Sequence, residues 1–153
     1  HLKDLIDDFA YDGQWKPFFE SIALAYRENS SVRDAMEGER NLQGFLKAYL
    51  ALASYYLVEP ELEMNYGYCD FFLLPDKKRY PDIGHSYILE LKYAGRTTTD
   101  TELETQAEEG RRQLLQYSKD KIALQLAQDT TLHLILLQFR GWDLVKCEEI
   151  ASC

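Results

Sequence analysis

The chain is expected to fold as an α/β domain: a central mixed β-sheet flanked by helices, with extra helices at its N-terminus. Three observations predict this. Apolar residues recur at helical spacing through the first 56 residues, strand-like apolar runs occupy most of residues 57–93, and a capped polar helix then precedes two more such runs.

Residues 2–12 and 15–29 read as short helices parted by Asp12-Gly13, with Phe18, Ile22, Ala25 and Tyr26 at helical spacing in the second. A longer helix is expected from about Gly38 to Tyr56, its buried stripe marked by Leu42, Phe45, Leu46, Tyr49, Leu50 and Ala53. Leu57 to Asn65 alternates as a strand does, and Pro60, which has no N–H to give to a ladder, assigns it to a sheet edge. Gly67 turns the chain into an aromatic strand around Asp70. Two prolines, a glycine and a charge cluster make Pro75 to Gly84 a surface loop, and a hydrophobic strand centred on Glu90 follows. Thr99 and Glu102 are spaced as a capping box and open a helix expected to reach about Gln128. Thr131 to Phe139 is a buried strand, Gly141-Trp142 a turn, and Asp143 to Ile150 a last strand.

At 153 residues, 46% of them hydrophobic, one domain with an ordinary core suffices. The longest apolar run, Tyr49 to Val58, is far short of the roughly 20 residues that cross a bilayer, and His1-Leu2-Lys3-Asp4 does not open a signal peptide, so no membrane partner is expected. Three cysteines without metal-ligand spacing, Cys69, Cys147 and Cys153, read as reduced thiols of a cytoplasmic protein. The net charge of −9 argues against binding nucleic acid by bulk electrostatics. The excess is uneven: residues 1–70 hold 13 acids and 6 bases, residues 71–153 hold 13 acids and 11 bases. Basic spots at Lys77-Lys78-Arg79, Arg111-Arg112 and Lys119 to Lys121 read either as phosphate contacts or as solvated surface.

The chemistry concentrates in Tyr87-Ile88-Leu89-Glu90-Leu91-Lys92-Tyr93. Side chains alternate across a strand, so Glu90 and Lys92 share one face while Leu89, Leu91 and the tyrosines take the other. Asp70 interrupts a neighbouring apolar strand in the same way. Two acids and a lysine are what metal-dependent phosphodiester cleavage needs: carboxylates for a hard divalent cation and an ammonium to orient the attacking water. A surface ion pair on a half-exposed sheet is the competing reading of Glu90 and Lys92. Gln113 and Tyr117, four apart on one helical face, either reach the strand ends or are a solvated amide beside a half-buried aromatic. Glu39 suits the dipole at the start of its helix and needs no other role. His133, in an apolar strand, reads as a core histidine with one satisfied nitrogen, and His85 as a loop residue.

Asp70, Glu90-Leu91-Lys92 and Gln113-Leu114-Leu115-Gln116-Tyr117, in the order strand, strand, helix, resemble the PD-(D/E)XK nuclease superfamily, with the glutamine-x-x-x-tyrosine motif of its recombination-exonuclease branch. Gly38 to Leu46, Gly67 to Asp70 and Arg140 to Val145 resemble the C-terminal nuclease-like domain fused to AAA-type ATPase domains in bacterial proteins. The resemblance implies a restriction-endonuclease-like core over residues 37–153, with residues 1–36 as a helical connector. It implies Mg²⁺ or Mn²⁺ held by Asp70, Glu90 and the Leu91 carbonyl, with Glu39 near the place of a further acid. Lys92 then holds the nucleophilic water, and Gln113 and Tyr117 steady the site or the phosphate. Nucleic acid, DNA first, and an ATPase domain are the implied partners. Cys69 stands where the proline of the motif's name is expected. A catalytically silent domain of the same fold, docking through its acidic helical face to an ATPase or another protein, is the alternative.

Overall fold

The computed structural model describes residues 1–30, 37–64 and 67–151, without the side chains of residues 59–64 and 67–69. Its elements are α1 (Leu2–Tyr11), α2 (Trp15–Asn29), α3 (Glu39–Leu50), β1 (Tyr56–Met64), β2 (Gly67–Pro75), β3 (His85–Ala94), α4 (Asp100–Tyr117), α5 (Lys121–Leu126), β4 (Thr131–Arg140) and β5 (Asp143–Glu149). The strands form one sheet in the order β1-β2-β3-β4-β5, antiparallel except for β3 and β4. A parallel pair needs a crossover connection, and α4 with α5 supplies it. β1, with Pro60, lies at the sheet edge as expected; Asn65 falls outside the described residues.

Alternation divides the sheet between two cores. Tyr87, Leu89 and Leu91 pack with α1, α2 and α3 on one face, while Phe72, Ile88, Leu134 and Leu136 pack with Ala107, Leu114 and Tyr117 of α4 and Ala123 of α5 on the other. The helices α1 and α2 are joined to the sheet by aromatic contact. Phe9, fully buried, stacks on Tyr87 at 4.2 Å between ring centroids, and the Tyr87 hydroxyl donates to the Phe9 carbonyl at 2.7 Å. Gly13 turns α1 into α2 at φ +68°, and the His85 ring lies so close that a Cβ there would sit 2.8 Å from its Cε1. No helix among the described residues is long and apolar enough to cross a membrane.

Two helices end earlier than their patterns suggest. The chain leaves α3 at Leu50, and residues 51–55 turn through short-range bonds such as Ala53 N–H to Leu50 O before β1 begins. Phe45 and Tyr49, expected within the buried stripe, are partly buried and stack on each other instead. The long helix expected from Thr99 to Gln128 is two helices. The capping box forms as expected, but the Asp120 carboxylate accepts the N–H groups of Ile122 and Ala123 and starts a new helix.

Gly110 sets the distance between α4 and the sheet. A Cβ at this position would stand 2.7 Å from Leu136 Cδ1 and 3.4 Å from Lys92 Cε, so the missing side chain is what lets the lysine stem pass beneath the helix. A Cβ on Gly44, inside α3, would meet nothing within 4 Å among the described residues beyond its own turn of helix. The two positions should respond oppositely in urea denaturation. Gly110→Val overfills the interface and is expected to cost about 1–3 kcal/mol, whereas Gly44→Ala gains helix propensity and stabilises by up to about 1 kcal/mol.

Candidate active site

The β2–β3 ladder pairs Leu73 with Tyr87, Phe72 with Ile88 and Phe71 with Leu89. One step further, the register would set Asp70 against Glu90, and like charges directly opposite repel. Here the strands part. The Asp70 Oδ2 accepts the Leu91 N–H at 2.7 Å, a side-chain bond where a backbone partner would otherwise stand. A residue's N–H and C=O leave an extended strand on one side, so the Leu91 carbonyl faces the same gap.

Glu90 is 4% exposed, and Lys92 Nζ lies 3.4 Å from its Oε2. Burial, and then the charge of Asp70, push the Glu90 carboxyl up to about 8, and the Lys92 ammonium offsets only part of this. Near neutral pH the metal-free protein therefore keeps a proton on Glu90, and Lys92 faces a neutral acid. Glu90 Oε1 is buried without a hydrogen-bond partner among the described residues.

The helix α4 covers this face. Gln113 is half-buried, and its Oε1 is also buried without a partner among the described residues. Tyr117 is 3% exposed within the cluster of Phe72 and Ile88, more deeply than a half-buried aromatic would be. Glu109, exposed and one turn before Gln113, adds its charge to the field that keeps Glu90 protonated. Sequence reading passed over both Glu109 and Gly110. A glycine in mid-helix was the available signal for the second.

A divalent cation suits this donor set. Glu90 Oε1, buried, has no hydrogen-bond partner among the described residues, and two neighbouring carboxylates disfavour joint ionisation until a cation neutralises them. Glu39 is not gathered with them. It is exposed on the first turn of α3, and no three His, Cys, Asp or Glu side chains among the described residues form a metal-binding group.

The basic spots disperse. Arg111 is committed to Glu104, Glu108 and Glu148, while Arg112, Lys119 and Lys121 are exposed. Cys147 is a free thiol that burial pushes up to about 12; the side chains of Cys69 and Cys153 are outside those described. The histidines depart furthest from expectation. His85 opens β3 rather than lying in a loop, and His133 has both ring nitrogens engaged, one with His85 and one with Glu149.

No curated protein and no solved structure matches the chain. The family model of the PD-(D/E)XK nuclease superfamily matches residues 37–149, a range that contains Asp70, Glu90, Lys92, Gln113 and Tyr117. With a five-stranded mixed sheet between helical layers and an acid, acid, lysine set where β2 and β3 part, the chain belongs to the PD-(D/E)XK nuclease superfamily.

Proposed function

We propose that this domain is a metal-dependent nuclease that hydrolyses phosphodiester bonds of nucleic acid, DNA in the first instance. The observation that supports the reading is the meeting of Asp70, Glu90 and Lys92 at the parting of two strands, with Glu90 Oε1 buried and without a hydrogen-bond partner among the described residues. Asp70 and Glu90, with the Leu91 carbonyl, hold Mg²⁺ or Mn²⁺. The cation, when bound, supplies a Lewis acid at the phosphoryl group and lowers the pKa of a bound water.

Lys92 would direct its ammonium at the attacking water and at the charge that develops on phosphate. Its stem is fixed between Gly110 and the sheet, so the ammonium is positioned before substrate arrives. Gln113 offers its amide to the site from the helix above, and Tyr117, packed with Phe72 and Ile88, holds that turn of helix in place. Glu39, exposed on α3, stays outside the proposed ligand set. The acidic surface supports a division of labour in which an AAA-type ATPase domain, in the same or an associated cytoplasmic chain, supplies much of the affinity for DNA.

Metal binding separates this reading from a silent docking domain. A ligand that binds only the folded state at 100 times its Kd adds about 2.7 kcal/mol of stability. Mg²⁺ or Mn²⁺ is therefore expected to raise the Tm by several degrees, and Glu90→Gln to abolish the rise. Cleavage of an oligonucleotide should stop with chelator and with Asp70→Ala. Lys92→Met should retain the metal-induced rise while losing about 10²–10⁴-fold in rate. Metal-independent melts together with chelator-resistant cleavage would end the proposal.

The raised Glu90 carboxyl fixes the sign of the pH response. Its folded value of about 8 lies above the ordinary 4.5, so between these values the folded metal-free protein binds a proton that the unfolded chain does not. Stability without metal is expected to fall as pH rises through that window, and the fall should disappear in Glu90→Gln. Binding of Mn²⁺ must release the same proton, so calorimetric affinity should climb with pH, about tenfold per unit, and level off above about pH 8.

A further inference from the structure

A second cluster of titratable groups lies on the opposite face of the sheet, where α1 and α2 meet β3, β4 and β5. Glu149 Oε2 is 2.8 Å from His133 Nδ1, and His133 Nε2 is 2.9 Å from His85 Nδ1. The Trp15 indole N–H donates to the other Glu149 oxygen at 2.9 Å, which ties α2 to the end of β5. His133 is buried and stacks on Tyr87 at 4.8 Å, and the His85 ring lies against Gly13 in the α1–α2 turn.

The chemistry of the donors fixes the protons. An ionised carboxylate only accepts, so His133 Nδ1 carries a hydrogen; in a neutral ring Nε2 then accepts, so His85 Nδ1 carries one as well. One nitrogen keeps an uncommitted lone pair, His85 Nε2. A proton added there leaves the bonds intact but puts a charge on the half-buried ring that lies against Gly13 of the α1–α2 turn.

We propose that Glu149, His133 and His85 form an acid-released latch that holds the α1–α2 pair on the nuclease core. Glu149, His133 and His85 stand on β5, β4 and β3, and the cluster reaches residues 1–30, which lie outside the range that the family model matches, through the Trp15 bond to Glu149 and the packing of the His85 ring against Gly13. The charged and titratable groups facing the imidazoles are Asp12 at the end of α1, Tyr56 of β1, whose hydroxyl donates to the His85 carbonyl, Tyr87 of β3 and Glu149 of β5. Burial and the neighbouring His133 hold the His85 imidazole below its usual range, and Asp12 and Glu149 pull it back only in part. The unfolded or undocked chain thus binds the proton more readily than the latched one. The latch is at full strength above the ordinary histidine value of about 6.5 and weakens as pH falls below it.

Hydrogen exchange on the whole chain tests this, with the Leu136 and Leu137 amides of β4 as reference. Between pH 7.5 and 5.0, protection of the α1 and α2 amides, corrected for intrinsic rates, should fall at least tenfold relative to the reference; in His85→Gln, which keeps a donor but does not titrate, the ratio should stay within twofold. Nitrogen-15 spectra at pH 7.5 should show both histidines protonated at Nδ1 and bare at Nε2. The opposite tautomer in either ring, or a constant wild-type ratio, overturns the latch, and both readings stand without the variant if it does not fold. A pH response that survives in folded His85→Gln overturns it as well.

Discussion

The bond from the Leu91 N–H to the Asp70 carboxylate stands in for a rung of the β2–β3 ladder, and the arrangement of the site follows from that replacement. Had the ladder continued, Asp70 and Glu90 would face each other across a closed pair of strands, with the Leu91 carbonyl spent on a backbone partner. Because the strands part after Phe71 and Leu89, the Asp70 carboxylate reaches the Leu91 N–H and its charge is felt at Glu90, with the Lys92 ammonium 3.4 Å from the Glu90 carboxyl. The same bond satisfies a backbone donor that the parting leaves without its strand partner, so the opening does not leave an orphaned N–H behind.

Glu90 carries the opposing cost. A carboxyl this deeply buried, with another acid beside it, stays protonated near neutral pH unless positive charge comes within reach, and Lys92 alone does not suffice. The packing around it is correspondingly tight. Gly110 admits the lysine stem, and Leu136, Ala107 and Leu114 close the apolar side, so the ammonium is placed by the same contacts that seat α4 on the sheet. Site geometry and core packing are thus one problem here, and a methyl group at residue 110 disturbs both.

Legibility in the sequence followed the range of the interaction concerned. Alternation placed Glu90 and Lys92 on one face, Pro60 marked an edge strand, and Thr99 with Glu102 capped α4, because each depends on neighbours within a few residues. The break between α4 and α5 was equally local but easy to miss, since Asp120 reads as one more polar residue on a helix until its side chain is seen to cap the next one. What escaped was tertiary. Glu149 reaches His133 only across the antiparallel β4–β5 pair, and His133 reaches His85 only across the parallel crossover, so no spacing announces their contact. Arg111 shows the converse: a basic residue suited to phosphate by composition is occupied by three acids once the chain folds.

The charge distribution then constrains how a nuclease of this kind would work. A net charge of −9, with Arg111 neutralised and Glu109 adding to the field at Glu90, gives a phosphate backbone little reason to approach the metal-free site. On the proposed reading a divalent cation would change that balance in two ways: it would replace the proton on Glu90, and it would set positive charge beside the Lys92 ammonium. On the proposed reading the cation therefore precedes the substrate, and affinity for the polymer has to come largely from surfaces beyond this acidic domain, which confines the domain's own contribution to the atoms around the scissile phosphate.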